Sequence, residues 1–599
     1  MSSSRTDPRA EYRSRRQHAV DEIARLDRLH LLISNARLAV AALVAVLLWL
    51  AFVREAVSRL WPAASVVGFI ALVVVHARVL QRVDRARRTE AWYERGLERL
   101  EGRWVGRGRN GAAFLGEHPY ARDLDLFGRG SLFELLNTAN TEVGEETLAA
   151  WLGAGASLEE VAARQAAIDE LRGRTPFRQD IAVLAAESEV SRTGSIATWA
   201  TSGPQGLGRV AGIVLGACAA MTVAVAALVL SERIGTRYLI FWTTVEGAIA
   251  YIWHRRVQLV LARVGSADRD LALVSDLLAR IEGETFSAPR LTGIQSSLLT
   301  GGLPPSRRIA QLRRLVSWID STRNQLFAMF AFAILLPHLL AIAVDRWHAA
   351  YGASVIRWLS AIGELEALAA LATYAFEHPE DPFPTLQAGG PMFAAEVLGH
   401  PLMLDRTAVR NDVALGGPNA PHVIVISGSN MSGKSTLLRS VGVNVVLALA
   451  GAPVRASRLT LSPLAIGATL KVEDSLQEGH SRFYAEILRI KSIVDAARSE
   501  DVGLLFLLDE ILHGTNSHDR RIGAEAIVRA LADLGAIGLV TTHDLALTEL
   551  PGKLGPIAIN MHFEDRLEDG KMVFDYRMRP GVVEHSNALA LMRAIGLDV

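Results

Sequence analysis

The chain of 599 residues has only one cysteine, Cys218, which excludes both a disulfide framework and a cysteine-based metal site. A reducing compartment is therefore expected. Lysine is also scarce, with five lysines against 58 arginines, a skew that we attribute to genomic base composition. The net charge is zero, so overall charge indicates no partner. A cleaved secretory signal is not expected, because the segment before the first apolar run is too long and too charged.

Apolar sequence, by contrast, is abundant. Hydrophobic residues make up 50% of the chain and the mean hydropathy is positive, as expected of a protein that lies partly in a membrane. Apolar runs at about 31–53 and 62–79 predict a first transmembrane hairpin. Arginines are dense on both outer flanks, so the positive-inside bias places both ends of this hairpin in the cytoplasm. A second transmembrane hairpin is predicted at about 210–230 and 238–253.

Two features of the apolar runs leave alternatives open. Glu246 lies in the middle of the fourth run, where it either serves a function, facing a substrate, or faces a neighbouring helix; alternatively, the run is only interfacial. A fifth run, 326–344, contains Pro337 and His338 and is long enough to span. Five spans would place the two ends of the chain on opposite sides of the membrane, so we favour four spans and interpret this run as a buried or membrane-apposed helix. Each run can also be interpreted as a core helix of a large helical domain.

The remaining sequence divides into a helical and an α/β part. Between the hairpins the chain is polar and helical in pattern, with Ser157 as a predicted N-cap three residues before Glu160. From about Phe393, apolar β-type runs alternate with helical stretches, the pattern of a parallel sheet with crossover helices. We predict a multidomain protein with a basic N-terminal segment and hairpin (1–84), an interrupted helical domain (85–385) and a C-terminal α/β domain (395–599).

A glycine-rich loop follows the apolar run HVIVIS in the C-terminal domain. The order of strand, loop and helix is that of a phosphate-binding loop, whose glycines let backbone amides converge on phosphate oxygens. Lys434 is expected to bridge the β- and γ-phosphates and the Ser435 hydroxyl to ligate magnesium, so ATP and Mg²⁺ are the expected ligands. The candidate nucleotide-binding residues of this loop are Gly428, Ser429, Asn430, Met431, Ser432, Gly433, Lys434, Ser435 and Thr436.

Two later strands end in polar residues that complete the expected site. The run LLFLLDE ends in Asp509, a candidate magnesium ligand, and Glu510, a candidate general base for the attacking water. The run IGLVTTHD ends near His543, which is placed to contact the γ-phosphate or the attacking water. Because the carboxyl ends of parallel strands share one sheet edge, Lys434, Glu510 and His543 are the candidate catalytic residues.

The sequence around these motifs resembles the MutS family of DNA mismatch-repair ATPases. The resemblance rests on NMSGKST, on GHSRFYAEI (Gly479–Ile487), on DEILHGTNSHD (Asp509–Asp519), and on the tail RPGVVEHSNALALMRAIGL. The segments LFGRGSLFELLNTANTEVGEETLAAWL and RQAAIDEL resemble the central helical core of the same family. The resemblance, over roughly residues 395–599 and the helical core, covers about four fifths of the chain and is interrupted by the apolar runs.

The resemblance implies a P-loop ATPase domain similar to ABC-type domains, working as a dimer with composite sites. Ser481 of one subunit would approach the γ-phosphate bound by the other, and Asn516–Asp519 would signal across the interface. Residues near Asn411 would lie beside the adenine. ATP binding would close the dimer as a clamp, and hydrolysis would release it.

The departures from the family pattern separate two hypotheses of function. The chain has Arg482 and Arg520 where the family has Thr and Gly, and no segment before Leu124 corresponds to the mismatch-reading and connector domains. The first hypothesis is a membrane-anchored MutS-like ATPase that clamps DNA, located in the inner or plasma membrane with its ATPase domain in the cytoplasm; mismatch specificity is not implied. The alternative is a non-DNA membrane machine, similar to a transporter engine, powered by the same ATPase dimer.

Overall fold

The computed structural model describes residues 7–186, 194–264, 268–299, 303–322, 325–404, 408–471, 482–499, 502–512, 516–568 and 571–583. The chain forms two compact units, one made of residues 1–107 and 176–190 and the other of residues 108–175 and 191–599. The N-terminal two thirds of the chain is helical. Its helices are α1 (Pro8–Phe52), α2 (Leu60–Leu100), α3 (Leu132–Leu136), α4 (Glu142–Gly153), α5 (Leu158–Arg172), α6 (Thr175–Ala185), α7 (Gly194–Thr201), α8 (Arg209–Leu230), α9 (Thr236–Val264), α10 (Asp268–Glu282), α11 (Pro289–Leu298), α12 (Pro305–Ser321), α13 (Gln325–Ala333) and α14 (Leu336–Glu377).

The first unit is built on an antiparallel pair of long helices, α1 and α2. The pair is held near its open end by Tyr12, whose ring packs edge-on against Trp92 and Tyr93. Gly96 permits this contact, because a Cβ there would lie 2.5 Å from the Tyr12 ring. The Tyr93 hydroxyl bonds Gln179 of α6 at 2.6 Å. The predicted runs at 31–53 and 62–79 are therefore parts of helices that extend well beyond their apolar stretches.

In the second unit, α8 and α9 form an antiparallel hairpin beside α14. A buried hydrogen bond joins the two helices, with the Thr222 hydroxyl donating to Glu246 at 2.5 Å. Trp242 in turn donates to the Thr222 hydroxyl at 2.9 Å. Glu246 thus faces a neighbouring helix, while its second carboxylate oxygen, Oε1, is buried and has no partner within the described part of the chain.

By length and composition, α1, α2 and α8 qualify as membrane-crossing helices among the described residues. The helix α9, which contains the predicted run 238–253, does not meet the same criterion. The fifth run does not form one helix. It divides into α13 and α14, which meet at an angle of 72°. Leu335 at the break has a φ of 48°, and Pro337 in the first turn of α14 cannot donate the hydrogen bond that would continue α13.

The helical core of the second unit is organised around α14. Glu366 is fully buried and accepts hydrogen bonds from the backbone amide and the hydroxyl of Thr141 and from the amide of Asn140, which ties α14 to the start of α4. The predicted N-cap is present, because the Ser157 hydroxyl accepts from the Glu160 amide at 3.3 Å at the start of α5.

The C-terminal part is an α/β domain, as the alternation of strands and helices predicts. Its elements are β1 (Thr385–Leu386), β2 (Met392–Leu398), β3 (Asn411–Gly416), β4 (Val423–Ser427), α15 (Lys434–Ala450), β5 (Arg458–Leu461), β6 (Leu464–Thr469), α16 (Arg482–Ser499), β7 (Gly503–Asp509), α17 (Ser517–Asp533), β8 (Ile537–Thr542), α18 (Leu550–Leu554), β9 (Ala558–Glu568) and β10 (Lys571–Pro580).

Two sheets form this domain. The smaller has the strand order β1-β5-β2-β3, and the larger has the order β10-β9-β4-β8-β7-β6. In the larger sheet, β4, β6, β7, β8 and β9 run parallel, whereas β10 pairs antiparallel with β9. The strands β4, β7 and β8 are almost wholly buried. Their carboxyl ends meet at one edge, so the loops that follow them lie together.

Candidate functional site

The loop after β4 has the backbone conformation of an anion-binding turn. Gly428 and Gly433 have φ angles of 151° and 104°, and Met431 between them has a φ of 70°. A Cβ on Gly428 would lie 3.0 Å from the Ser432 hydroxyl and 3.1 Å from the Phe563 carbonyl, so the loop has no room for a side chain there. The helix α15 begins directly after Gly433 and aims its N-terminus at the space above the loop.

Lys434 is buried at the start of α15. Its ammonium donates to the carbonyl oxygens of Gly428 and Ser429, both at 2.8 Å, and lies 3.8 Å from a Glu510 oxygen. Burial lowers the pKa of Lys434, and the carboxylates of Glu510 and Asp509 oppose that shift. The ammonium therefore sits in a polar cage of its own loop, next to two acidic side chains.

A cavity of about 590 Å³ opens above this loop, a size typical of cofactor sites. The hydroxyls of Ser429 and Ser432 are buried and have no hydrogen-bond partner within the described part of the chain. Such orphaned hydroxyls fit a ligand rich in acceptor oxygens, such as a polyphosphate. The cavity is lined by Leu398, Met403, Val409, Asn411, Asn430, Met431, Gly433, Lys434, Ser435, Thr436, Leu437, Ser440, Asp509, Glu510, Phe563 and Tyr576.

The acidic pair at the end of β7 meets the loop from the other side. Asp509 accepts a hydrogen bond from the Thr541 hydroxyl of β8. Glu510 has a φ of 48°, and its amide donates to the same Thr541 hydroxyl at 3.1 Å, which fixes the turn. The Glu510 side chain lies between Lys434 and His543. Its Oε1 is 3.8 Å from the Lys434 ammonium and 3.6 Å from His543 Nδ1. The fold thus brings together the three candidate catalytic residues, although His543 lies beside the main cavity and not in its lining.

Tyr576 is among the cavity-lining side chains that were not predicted from the sequence. Tyr576 has a φ of 55° and lies at an irregularity in the pairing of β10, between Phe574 and Met578. A Cβ on Gly433 would lie 3.2 Å from the Tyr576 ring. Asn411 holds this bulge, because its amide group donates to the Tyr576 carbonyl at 3.0 Å and accepts from the Met578 amide at 2.8 Å. Asn411 thus lines the cavity and also positions an aromatic ring there.

His400, which lies between Gly399 and Pro401 after the end of β2, is buried. Burial lowers its pKa to about 4, the Arg439 guanidinium adds to the shift, and Asp125 opposes it. Its Nδ1 accepts from the Leu402 amide at 3.2 Å. His400 is therefore a neutral hydrogen-bond acceptor that shapes the loop carrying Met403 into the cavity.

Several predicted residues lie outside this constellation. Ser481 and the tail from residue 584 fall outside the described residues, as does the side chain of Arg482. Asn516 caps α17, where its side-chain oxygen accepts from the Asp519 amide at 2.9 Å. The predicted role of Asn516–Asp519 in signalling across a dimer interface stays a prediction.

A buried aspartate connects the helical core to the nucleotide loop. Asp123 is fully buried and accepts from the amides of Leu470 and Lys471, both at 2.7 Å, and from the Arg489 guanidinium. Its backbone carbonyl accepts from Arg439 of α15 at 3.1 Å. One core residue therefore contacts the helix of the loop, the end of β6 and α16.

The geometry defines an α/β domain with a glycine-rich anion-binding loop and acidic residues at the neighbouring strand ends. Residues 424–598 match the family model of MutS domain V. The chain is 34% identical over 206 residues to an "Endonuclease MutS2" of Thermus thermophilus, covering 33% of this chain and 25% of that protein. It is also 34% identical over 242 residues to a "DNA mismatch repair protein MutS 2" of Halobacterium salinarum, covering 40% of this chain and 27% of that protein.

The chain is therefore similar to MutS-family proteins, and residues 424–598 carry the match to the family model. The chain matches only about a quarter of the length of these curated relatives. The helical part and the apolar helices lie outside residues 424–598, which the family model matches.

Proposed function

We propose that this chain is a membrane-anchored MutS-like ATPase that acts on DNA as an ATP-dependent dimeric clamp. The observation that carries the enzymatic part is the convergence on one cavity of a buried lysine, two strand-end carboxylates and the hydroxyls of Ser435 and Thr436. This set matches the needs of a triphosphate: cation, amide and hydroxyl donors for its oxygens, with a carboxylate to orient water.

Each residue has a defined task in this proposal. The Lys434 ammonium exchanges its two loop carbonyls for the β- and γ-phosphate oxygens. The Ser435 hydroxyl and Asp509 hold Mg²⁺, which when bound neutralises charge on the phosphates. Tyr576 and Asn411 line the same cavity and are proposed to contact the base.

Glu510 is the proposed general base. Its carboxylate is within reach of both Lys434 and His543, so it can accept a proton from water attacking the terminal phosphate. The hydrogen bonds from its amide to Thr541 keep the carboxylate at the carboxyl end of β7. His543 is placed to orient Glu510 from the other side.

The membrane part of the proposal rests on the long apolar helices. The helices α1, α2 and α8 have the length and composition to cross a bilayer, and many of their large apolar side chains are exposed. The dense arginines around α1 and α2 favour a cytoplasmic location for the ends of that hairpin. The ATPase domain would then face cytoplasmic ATP, at the inner or plasma membrane.

The DNA part of the proposal comes from relatives that are named as DNA mismatch repair proteins. The test is duplex, mismatched and branched DNA binding by the detergent-solubilised chain at about 100 mM salt, with and without ATP. Binding that depends on nucleotide supports the clamp. If none of the three DNA forms binds, with or without ATP, the DNA part of the proposal is wrong. The ATPase part is tested separately, by ATP hydrolysis.

The dimer is tested by mixing subunits. Chains with Ser481→Ala and chains with Glu510→Gln are each expected to hydrolyse ATP slowly. In a composite site Glu510 comes from one subunit and Ser481 from its partner, so a mixed dimer carries both substitutions in one of its two sites. The other site of that dimer is intact, so mixing is expected to restore part of the hydrolysis. ATP hydrolysis that simply averages the two separate preparations would contradict the composite arrangement.

A second function is favoured by one observation, the unpartnered Glu246 oxygen buried between α8 and α9. A carboxyl group in an apolar hairpin is typical of proteins that move an ion or a polar substrate. In that case the ATPase dimer would drive a non-DNA membrane machine. Two results together would favour this alternative: DNA does not stimulate ATP hydrolysis, and Glu246→Gln changes the rate of ATP hydrolysis by the chain in lipid.

A further inference from the structure

The short helix α13 exposes several large apolar side chains, although it is too short to cross a membrane. Its side chains Met329, Phe330 and Phe332 are 72%, 67% and 59% exposed. With nine residues the helix extends only about 14 Å, far too short to cross a bilayer of about 30 Å. The bend of 72° at its end also prevents α13 and α14 from forming one straight span.

Contacts along α14 locate α13 relative to the α8–α9 hairpin. Asp345 accepts from the amides of Gln205 and Leu207, just before α8 begins, at 2.6 and 2.7 Å. Seven residues earlier, the His338 ring lies 6.5 Å from the ring of His254 in α9. The seven residues from Asp345 back to His338 span roughly 10 Å of helix, so His338 lies about that much further from the start of α8, towards the turn of the α8–α9 hairpin. At that level the chain turns sideways into α13.

A basic groove adjoins this apolar helix. It has a volume of about 540 Å³ on one face of α12 and is lined by Arg313, Arg314 and Trp318, with only small residues besides. Trp318 is 54% exposed, and its ring lies 6.3 Å from Phe327 of α13. Neither guanidinium forms an ion pair with any residue that the structure describes. Arginine and tryptophan beside an apolar surface are the residues that proteins place at lipid headgroups.

We propose that α13 lies flat in the cytoplasmic leaflet of the membrane, with Arg313 and Arg314 on the phosphates of anionic lipid headgroups. The inference rests on the proposed membrane location of the α8–α9 hairpin. It adds a second kind of membrane contact, an interfacial helix beside the spanning ones. A lipid surface fits the site better than nucleic acid, because DNA would meet the arginines but leave the phenyl rings of α13 in water.

The depth of α13 can be measured with a single spin label, because Cys218 is the chain's one cysteine. In a Cys218→Ala background, labels are placed by Phe330→Cys on α13, Ile213→Cys on α8 and Leu534→Cys on the α/β domain. All three positions are exposed. The full chain is reconstituted in nanodiscs, and the accessibility of each label to oxygen and to a water-soluble nickel chelate is compared.

We expect the labels at 330 and 213 to favour oxygen at least threefold over the label at 534. A label at 330 that behaves like the one at 534, while 213 remains in lipid, would overturn the interfacial helix and leave the membrane anchor intact. If 213 also reports water, the membrane part of the proposed function fails.

The headgroup contact is tested by changing lipid charge. Replacing about a third of the neutral lipid by phosphatidylglycerol is expected to move the 330 label deeper, at least doubling its oxygen preference. The Arg313→Gln/Arg314→Gln variant should lose this response, whereas the matched control Arg458→Gln/Arg498→Gln should keep it. An unchanged response in the first variant overturns the proposal. Unchanged lipid response with duplex DNA binding weakened more than threefold would assign the groove to nucleic acid instead.

Discussion

Replacement of Asp123 by asparagine tests how the helical core is joined to the nucleotide-binding domain. The carboxylate has no exposed surface and accepts from two backbone amides at 2.7 Å and from the Arg489 guanidinium. Burial raises the pKa of Asp123, whereas Arg489 and the amides of Lys471 and Leu470 lower it, so the carboxylate depends on these partners. Asparagine keeps the shape but leaves Arg489 without its buried anion.

Breaking one partner of a buried pair costs about 3–5 kcal/mol, and we expect about 3 kcal/mol because the amide oxygen retains one acceptor. This cost should appear as local opening where β6 ends. The amides of Leu470 and Lys471 are then expected to exchange hydrogen about 100-fold faster, measured by mass spectrometry on the peptide that contains them. ATP turnover should also fall, because Arg439 on the helix of the nucleotide loop shares the same contact.

Asp125→Asn is the matched control. Asp125 is partly exposed and pairs with the Lys471 ammonium at 2.6 Å, an interaction worth at most about 1 kcal/mol at the surface. Equal acceleration of exchange in the two variants, or unchanged exchange at 470 and 471 in Asp123→Asn, would refute a structural role of the buried Asp123 carboxylate.

The other predictions concern the cavity and its wall. Tyr576→Ala should weaken ATP binding about tenfold, measured by fluorescence titration, because the aromatic ring is lost. Tyr576→Phe keeps the ring and should keep most of the affinity. An equal loss of affinity in both variants would assign the effect to the hydroxyl. Gly433→Ala should abolish nucleotide binding, because alanine at a φ of 104° is strained and its Cβ would approach Tyr576; retained affinity would contradict this. His400 has a pKa of about 4 when folded and about 6.5 when unfolded, so its contribution to stability is complete above pH 6.5 and is lost as the pH falls towards 4. At pH 5 this loss is about 2 kcal/mol, so the thermal midpoint should fall further between pH 7 and 5 in the wild type than in His400→Gln; parallel curves would contradict it.

Local patterns in the sequence predicted much of the candidate site. The loop from Gly428 to Ser435 and the acidic end of β7 are each set by a few consecutive residues, and parallel strands bring their carboxyl ends to one edge. For that reason Lys434, Asp509 and Glu510 could be grouped from the sequence alone. The cap at Ser157 is local in the same sense, and the structure contains it.

Features that depend on distant residues were not predictable in this way. Tyr576 reaches the cavity through a bulge in β10 that Asn411 holds, and the two are 165 residues apart. Asp123 contacts residues more than 300 positions away. The apolar run at 326–344 has the composition of one helix, yet it divides into α13 and α14 at Leu335 and Pro337, and composition does not give the angle of 72° between them.

ATP hydrolysis by the Glu510→Gln variant tests the central claim most directly. Glutamine keeps the size of the side chain and its place between Lys434 and His543 but cannot accept a proton from water. Glu564→Gln, on β9, is the matched control. The account predicts that the purified wild-type chain binds and hydrolyses ATP, and that Glu510→Gln binds ATP within about threefold of wild type but hydrolyses it at least about 100-fold more slowly. Hydrolysis by Glu510→Gln at the wild-type rate, or no ATP binding by the wild type, would contradict it.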